Sequence, residues 1–206
     1  PRRVYFPRDS SEKTTRHWGQ RKLLMCEIKF ILDHCNPGIR EVLYIGAHLL
    51  VIADLFPDLH FTLIDPSPFH SGILAMNARF RVINRLFDES MAEEYKGRTD
   101  LLVISDIRSA NYRRESTDEN ELKIHRDMAL QAVFVKIINP AAAILKFQLP
   151  WSDGKTKYLD GYLMLPIWGP CSTTECRLVV RKDAGLRLYD NREYEEQLFW
   201  FNTVRR

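Results

Sequence analysis

A series of short, unbroken apolar runs spaced by helix-length segments constrains this chain more than any other feature. Glu41-Val-Leu-Tyr-Ile-Gly46, Phe61-Thr-Leu-Ile-Asp65 and Leu101-Leu-Val-Ile-Ser105 read as strands, with Arg81-Val-Ile-Asn84 a weaker one and Ala141 to Phe147 a later one. A strand with one wet face alternates apolar and polar residues, whereas a strand covered on both faces is apolar throughout. These runs therefore predict a mostly parallel sheet with helices on both sides. Helical periodicity fills the gaps. Over residues 19–35, Leu24, Ile28 and Ile31 form an i, i+4, i+7 stripe, while Lys22, Cys26 and Lys29 lie on another face, and Asn36-Pro37-Gly38 ends the segment. A short helical stretch runs to Phe56, a longer one covers 117–138 with Met128, Ala132 and Val135 on one face, and a closing helix starts near Arg192. Residues 158–165, 174–180 and 186–189 alternate in strand fashion and predict antiparallel edge strands. The sum is a doubly wound α/β architecture in one domain spanning residues 1–206.

Composition narrows the class without naming a function. The chain of 206 residues is long enough to bury a core without disulfides or metals. No apolar run approaches the roughly 20 residues of a membrane-spanning helix, so no membrane partner is expected. The net charge of +3 is a mild excess, but basic residues gather near the start of the chain and at Arg205-Arg206, a pattern that suits either a solvated face or an anionic partner. Cys26, Cys35, Cys171 and Cys176 are spaced C-x8-C and C-x4-C, without the C-x2-C rhythm of a zinc site, so reduced thiols and no metal are expected. The polar stretch from Ser109 to Glu121 reads as a surface loop. The chain opens on proline rather than an initiator methionine and is expected to be a domain cut from a longer protein.

The strand ends carry the candidate chemistry. In doubly wound sheets, ligands bind outside the carboxyl ends of the strands, near the point where strand order reverses. A strand ending in Gly46, followed one strand later by Asp65, outlines a mononucleotide-binding half: backbone amides approach the ligand at the glycine, and the carboxylate accepts from ribose hydroxyls. Tyr44-Ile-Gly-Ala-His-Leu-Leu offers a single glycine, so a tight strand-to-helix turn without ligand accounts for it equally well. Lys22, Asp106, Lys146 and Glu175 form a second set. Lys146 and Glu175 interrupt apolar runs, where a lone charge is costly. From spacing alone, an internal salt bridge explains them better than catalysis does.

The ordered segments Gly19-Gln-Arg-Lys-Leu-Leu, Val42-Leu-Tyr-Ile-Gly46, Leu63-Ile-Asp65, Val103-Ile-Ser-Asp-Ile-Arg-Ser109, Met128-Ala-Leu-Gln131, Ile138-Asn-Pro140, Leu145-Lys146 and Glu175-Cys-Arg-Leu178 resemble the poxvirus cap-specific mRNA 2′-O-methyltransferases. These proteins also serve as the small subunit of poly(A) polymerase, and they are similar to the FtsJ-type RNA methyltransferases of large DNA viruses. The resemblance runs from about residue 5 to 205. It implies a Rossmann-like, S-adenosylmethionine-dependent methyltransferase fold and a Lys-Asp-Lys-Glu tetrad at Lys22, Asp106, Lys146 and Glu175. Lys146 would take or orient the proton of a ribose 2′-hydroxyl. A second ammonium and partial burial favour release of its own proton, while Asp106 and Glu175 hold that proton and fix the geometry. Gly46, Ala47, Asp65, Phe87 and Asp106 fall at methyl-donor positions. Trp151 and Tyr5 fall at two rings that would stack on a methylated guanine, and Asp153 and Glu195 at carboxylates answering its positive charge. Arg108 and Arg177 fall at phosphate contacts.

The implied partners are capped mRNA and other viral transcription or capping subunits, and the implied location is the host cytoplasm, at the viral factory, or the virion. One departure counts against the activity. The donor loop is shortened at Gly46-Ala47-His48: either other backbone amides bind the donor, or Leu49 and Leu50 stand in its place. A catalytically silent, methyltransferase-shaped subunit that binds RNA or scaffolds other proteins is therefore the alternative.

Overall fold

Apolar runs flanked by helical spacers fold here as layers. A computed structural model of the chain describes residues 19–46, 51–69, 79–111, 114–167 and 171–205. The strands are β1 (Glu41–Ile45), β2 (His60–Ile64), β3 (Phe80–Ile83), β4 (Leu101–Ser105), β5 (Ala142–Phe147), β6 (Lys155–Leu159), β7 (Tyr162–Met164), β8 (Cys176–Arg181) and β9 (Leu186–Asp190). The helices are α1 (Gly19–His34), α2 (Val51–Leu55), α3 (Glu89–Glu94), α4 (Thr117–Ile138) and α5 (Asn191–Trp200), the last running on into a wider π turn over Phe201–Arg205. A seven-stranded sheet has the order β3-β2-β1-β4-β5-β8-β7. Its first five strands are parallel, and β8 runs antiparallel to both β5 and β7.

Because strand side chains alternate between faces, the two sides of the sheet collect different residues. Val42, Tyr44, Leu102, Ile104, Ile144 and Val179 point to one face and pack against Cys26, Phe30 and Ile31 of α1. Leu43, Ile45, Val103, Leu145 and Leu178 point to the other, against Met91 of α3, Met128 and Phe134 of α4, and Tyr194 and Leu198 of α5. Each fully buried aliphatic side chain contributes about 1.5–3 kcal/mol, so both faces are strongly specified. Helix α4 is set by its ends: Ser116 and Glu119 form a capping box, and Asn139 terminates the helix in the left-handed conformation at φ 48.

Three expectations need correction. The buried face of α1 is not the Leu24, Ile28, Ile31 stripe but Leu23, Cys26, Glu27, Phe30 and Ile31, so Cys26 belongs to the core. A carboxylate in the middle of that face hides the periodicity from a reading that counts only apolar residues. Helix α3 was not anticipated; with six residues it is too short for periodicity to register, and Asp88 starts it by accepting from the Met91 N–H at 2.9 Å. The alternating stretch 158–165 is two strands, and β6 pairs with β9 outside the main sheet rather than along its edge. The break falls at Gly161, where an added Cβ would collide with the Val179 carbonyl oxygen, so only glycine lets the chain enter the sheet there.

Candidate active site

Strand order fixes where a site forms. The chain fills β1 to β3 outward on one side, then returns to place β4 and β5 on the other, so a crevice opens where β1 and β4 diverge. Backbone bonds close its floor: the Gly46 N–H donates to the Ile64 carbonyl at 2.8 Å and the Asp106 N–H to the Ile45 carbonyl at 2.9 Å. Gly46 has φ +77, and a Cβ there would meet the Asp106 carbonyl carbon and oxygen at 3.1 Å. Both the conformation and the close approach demand glycine. Above this floor is a cleft of about 630 Å³ whose walls include Gly46, Asp65, Phe87, Asp106, Arg108 and Lys146. Six residues singled out from the sequence thus meet in one hollow.

Register brings the charges together. Lys146 of β5 stands opposite Arg177 of β8, and Asp106 follows directly on β4, the parallel neighbour of β5. Even spacing from Ile104, Ile144 and Val179 sends all three side chains to the α1 face. The Lys146 ammonium lies 3.1 Å from Asp106 Oδ1 and 3.9 Å from Glu175 Oε2. Arg177 donates to the same two carboxylates, at 2.7 Å to Asp106 Oδ1 and 3.2 Å to Glu175 Oε1. Arg108 adds a third cation, 3.4 Å from Glu175 Oε2. Lys146 keeps 11% of its side-chain surface exposed and lines the cleft, whereas Arg177 keeps 4%.

The assignment of Arg177 to an RNA phosphate is accordingly corrected. Its guanidinium is the interior counter-ion of the two carboxylates and presents no free edge to a backbone. Burial lowers its hold on the proton, but Asp106 and Glu175 more than offset this, and the group stays charged. Lys22 lies in the first turn of α1; its side chain, like Ala47 and Tyr5, falls outside the described residues.

The donor side is built on β2 and the loop after β3. Asp65 follows β2, and one oxygen, Oδ1, accepts from the Ser67 N–H at 2.7 Å. Phe87 packs edge-on against Phe134 with ring centroids 4.9 Å apart. Sequence reasoning missed the support beneath Arg108. Asp127 of α4 is buried and accepts from both the Ser109 N–H at 2.7 Å and the Ser109 hydroxyl at 2.8 Å, pinning the loop that carries Arg108. An acidic residue at helical spacing from Ile124 and Phe134, on the face that the helix buries, was the available signal. Exposed Arg126 also stands on the rim of the cleft.

The second cluster gathers around the start of α5. The Trp151 N–H donates to Glu121 at 2.6 Å, and its indole N–H donates to the Thr174 hydroxyl at 3.0 Å. Asn191 ties the loop to the helix by donating to the Gly154 carbonyl through its backbone and to the Ser152 carbonyl through its side chain. Asp153 is exposed and pairs with Arg192 at 3.2 Å. Glu195 is half-buried; desolvation raises its pKa, Arg192 lowers it, and Glu196 and Asp153 raise it further. Among the described residues, no group of three or more His, Cys, Asp or Glu side chains is arranged to hold a metal, and no disulfide joins the cysteines.

Strand order, the glycine floor and the charged wall define the class: a Rossmann-like α/β domain of the methyltransferase type. The chain belongs to the poly(A) polymerase regulatory subunit family, whose model matches residues 4–206. It is 28% identical to the cap-specific mRNA (nucleoside-2′-O-)-methyltransferase of Myxoma virus strain Lausanne over 97% of this chain and 65% of that protein. It is also 28% identical to the protein of the same name in Fowlpox virus strain NVSL, over 90% of this chain and 67% of the relative. Among solved structures, bluetongue virus VP4, described as a multifunctional RNA-capping protein, superposes with a TM-score of 0.58 at 18% identity, covering 84% of this chain and 30% of VP4. This chain therefore spans just under two thirds of the length of its Myxoma virus relative.

Proposed function

We propose that this domain is an RNA 2′-O-methyltransferase that moves a methyl group from S-adenosylmethionine to the ribose 2′-hydroxyl of a cap-proximal nucleotide in viral mRNA. The observation that carries the reading is the Lys146 ammonium, 3.1 Å from Asp106 and 3.9 Å from Glu175, on the wall of the cleft that holds Gly46 and Asp65. The names of the poxvirus relatives support the same chemistry.

The residues present fit the donor. A cleft of about 630 Å³ lies within the roughly 300–1,000 Å³ of small-molecule sites. Gly46 lines the cleft without a side chain of its own, Asp65 offers a carboxylate for ribose hydroxyls, and Phe87 an apolar ring. When bound, S-adenosylmethionine supplies an electrophilic methyl group on sulfur.

The rest falls to the chain itself. A ribose hydroxyl is a weak nucleophile until its proton is oriented and removed. Lys146 in its neutral form accepts that proton at Nζ, and Asp106 and Glu175 hold the amine in line and then stabilise the ammonium. Arg177 keeps the two carboxylates fixed without competing for substrate. Arg108, on the cleft side of Glu175, is placed to receive a phosphate, and Lys22 is the fourth member of the set. Trp151, Asp153 and Glu195 are the residues assigned to a methylated guanine, where a cationic base gains stacking and cation–π attraction; Tyr5 is assigned to it by the family resemblance alone. The site of action is the viral factory in the host cytoplasm, or the virion.

Methylation of cap-0 RNA tests the reading. Lys146→Ala is expected to lose about 10²–10⁴-fold in rate, and parental activity in that variant overturns the assignment. The description of the family as a regulatory subunit favours a second reading, a silent RNA-binding or scaffolding subunit of the viral transcription machinery. Calorimetric titration with S-adenosylmethionine separates the two, since micromolar binding eliminates the silent subunit.

A further inference from the structure

Helix α4 runs behind the crevice and holds both of its walls. Asp127 and Gln131 are four residues apart, so they share one face of the helix, and both are buried. Asp127 reaches the β4 wall, where its two oxygens accept from the Ser109 N–H at 2.7 Å and the Ser109 hydroxyl at 2.8 Å. Gln131 reaches the β5 wall, where its amide Nε2 donates to the Lys146 carbonyl at 2.9 Å. These contacts take over where the sheet leaves off: the pairing of β4 with β5 ends at Ser105 and Leu145, one residue short of Asp106 and Lys146. The helix is itself fixed, by its caps at Ser116 and Asn139 and by the Tyr158 hydroxyl of β6, which donates to the Met128 carbonyl at 2.8 Å. Gln131 Oε1 has no hydrogen-bond partner among the described residues. Methionine or leucine would fill that place without burying an unpaired oxygen, so what the carboxamide adds is its bond to Lys146.

We propose that α4 fixes the gap between the two walls of the crevice, with Gln131 and Asp127 as positioning residues, the first for Lys146 and the second for Arg108. Lys146 is then held at both ends: its ammonium by Asp106 and Glu175, and its backbone by Gln131. Arg108 is held one residue away, through Ser109, so that its guanidinium stays beside Glu175 at 3.4 Å. One turn of helix sets the spacing of the two anchors along the axis, about 6 Å at 1.5 Å per residue, and its backbone bonds make that spacing rigid. In-line transfer needs reacting atoms about 3–3.5 Å apart, and a shift of about 1 Å costs on the order of a hundredfold in rate. The role of the two residues in catalysis rests on the methyltransferase reading, but the bracing of the walls does not.

Steady-state methylation of cap-0 RNA tests the two anchors separately. Gln131→Met keeps the volume and removes the donor. It is expected to lower kcat about tenfold to a hundredfold with the KM for RNA unchanged, because a misplaced amine is felt in the transition state. Gln131→Leu replaces it if the methionine variant fails to fold. Asp127→Asn keeps the shape but turns an amino group toward one of the two Ser109 donors. It is expected to raise the KM for RNA about tenfold, the loss of one well-aimed phosphate contact. Asn120→Ala is the control for helix stability: Asn120 is buried near the start of α4 and donates to the Glu115 and Ser116 carbonyls. It should lower the melting temperature and leave kcat at the parental value. A control that loses kcat as Gln131→Met does overturns the proposal, since helix stability alone then accounts for the loss.

Amide hydrogen exchange of the full 206-residue chain reads the bracing without any substrate. Gln131→Met should speed exchange around Lys146, and Asp127→Asn should speed it in the loop 106–110, each about tenfold and each at its own wall. Unchanged exchange at both walls overturns the proposal, and so does faster exchange with parental kcat and KM. An inactive parent protein whose variants still show the wall-specific exchange supports the bracing and removes the methyltransferase reading instead.

Discussion

The two charged regions of this molecule use the same side-chain types to opposite effect. Around Lys146, every ion pair is buried or nearly so and shared: Arg177 and Lys146 both contact Asp106, and Arg177, Arg108 and Lys146 all contact Glu175. Around Trp151, the pairs are at the surface, with Arg192 and Asp153 leaving 61% and 83% of their side chains in water. Charges taken out of water must be matched where they stand, so the first region is rigid and intolerant of losing a member. Exposed pairs are screened and easily exchanged. The wall around Lys146 is prearranged by the fold, and the rim around Trp151 is held by its backbone with its charges in water.

The sharpest way to break this contrast is Arg177→Ala. Two buried carboxylates then lose their shared counter-ion, and the protein is expected to lose about 3–5 kcal/mol in urea unfolding. A loss below about 1 kcal/mol would show that the cluster is wetter than its geometry indicates.

Next comes Glu27→Gln, read through pH. Burial pushes the folded Glu27 carboxyl up to about 7 from the ordinary 4.5, so the native state binds the proton that the unfolded state releases. The sign follows directly: the stability due to this group is complete below about pH 4.5 and falls as pH rises, until it is lost above about 7. The full span is of order 3 kcal/mol. Glu27→Gln should flatten the stability–pH curve across that window, as followed by urea titrations at several pH values.

Gly46→Ala is expected to cost about 1–3 kcal/mol through its positive φ and the approach to Asp106. It should also abolish S-adenosylmethionine binding in the calorimeter. The mildest effect belongs to the other region. Arg192→Ala should leave the melting temperature unchanged, whereas Asp153→Asn should weaken binding of a methylated-guanine cap analogue, measured by quenching of tryptophan fluorescence. Equal stability losses in both regions would erase the distinction between them.

What could be read in advance divides along the same line. The continuous runs of β1, β2 and β4 announced a covered parallel sheet, and their terminal Gly46, Asp65 and Asp106 marked the crevice, because burial on both faces leaves an apolar signature in a few consecutive residues. Helix α4 was legible from its periodicity over 117–138, whereas the surface loop read over Ser109 to Glu121 is corrected at its end, because the capping box at Ser116 starts the helix at Thr117. The face of α1 was misjudged because periodicity counts apolar residues and Glu27 is not one. Arg177 was misassigned because an arginine in a strand looks the same whether it faces solvent or a buried acid.

By itself, then, the sequence determined the layer architecture, the end of the sheet where a ligand would sit, and the set of polar residues available there, all of which follow from local periodicity and chain direction. Only the tertiary structure decided which of those charges are partners. Pairing depends on the antiparallel register that sets Lys146 beside Arg177 and on the rotation of α1 that turns Glu27 inward. The stability of a buried charge is a property of the neighbours brought to it from far along the chain, and no local stretch of residues contains that information.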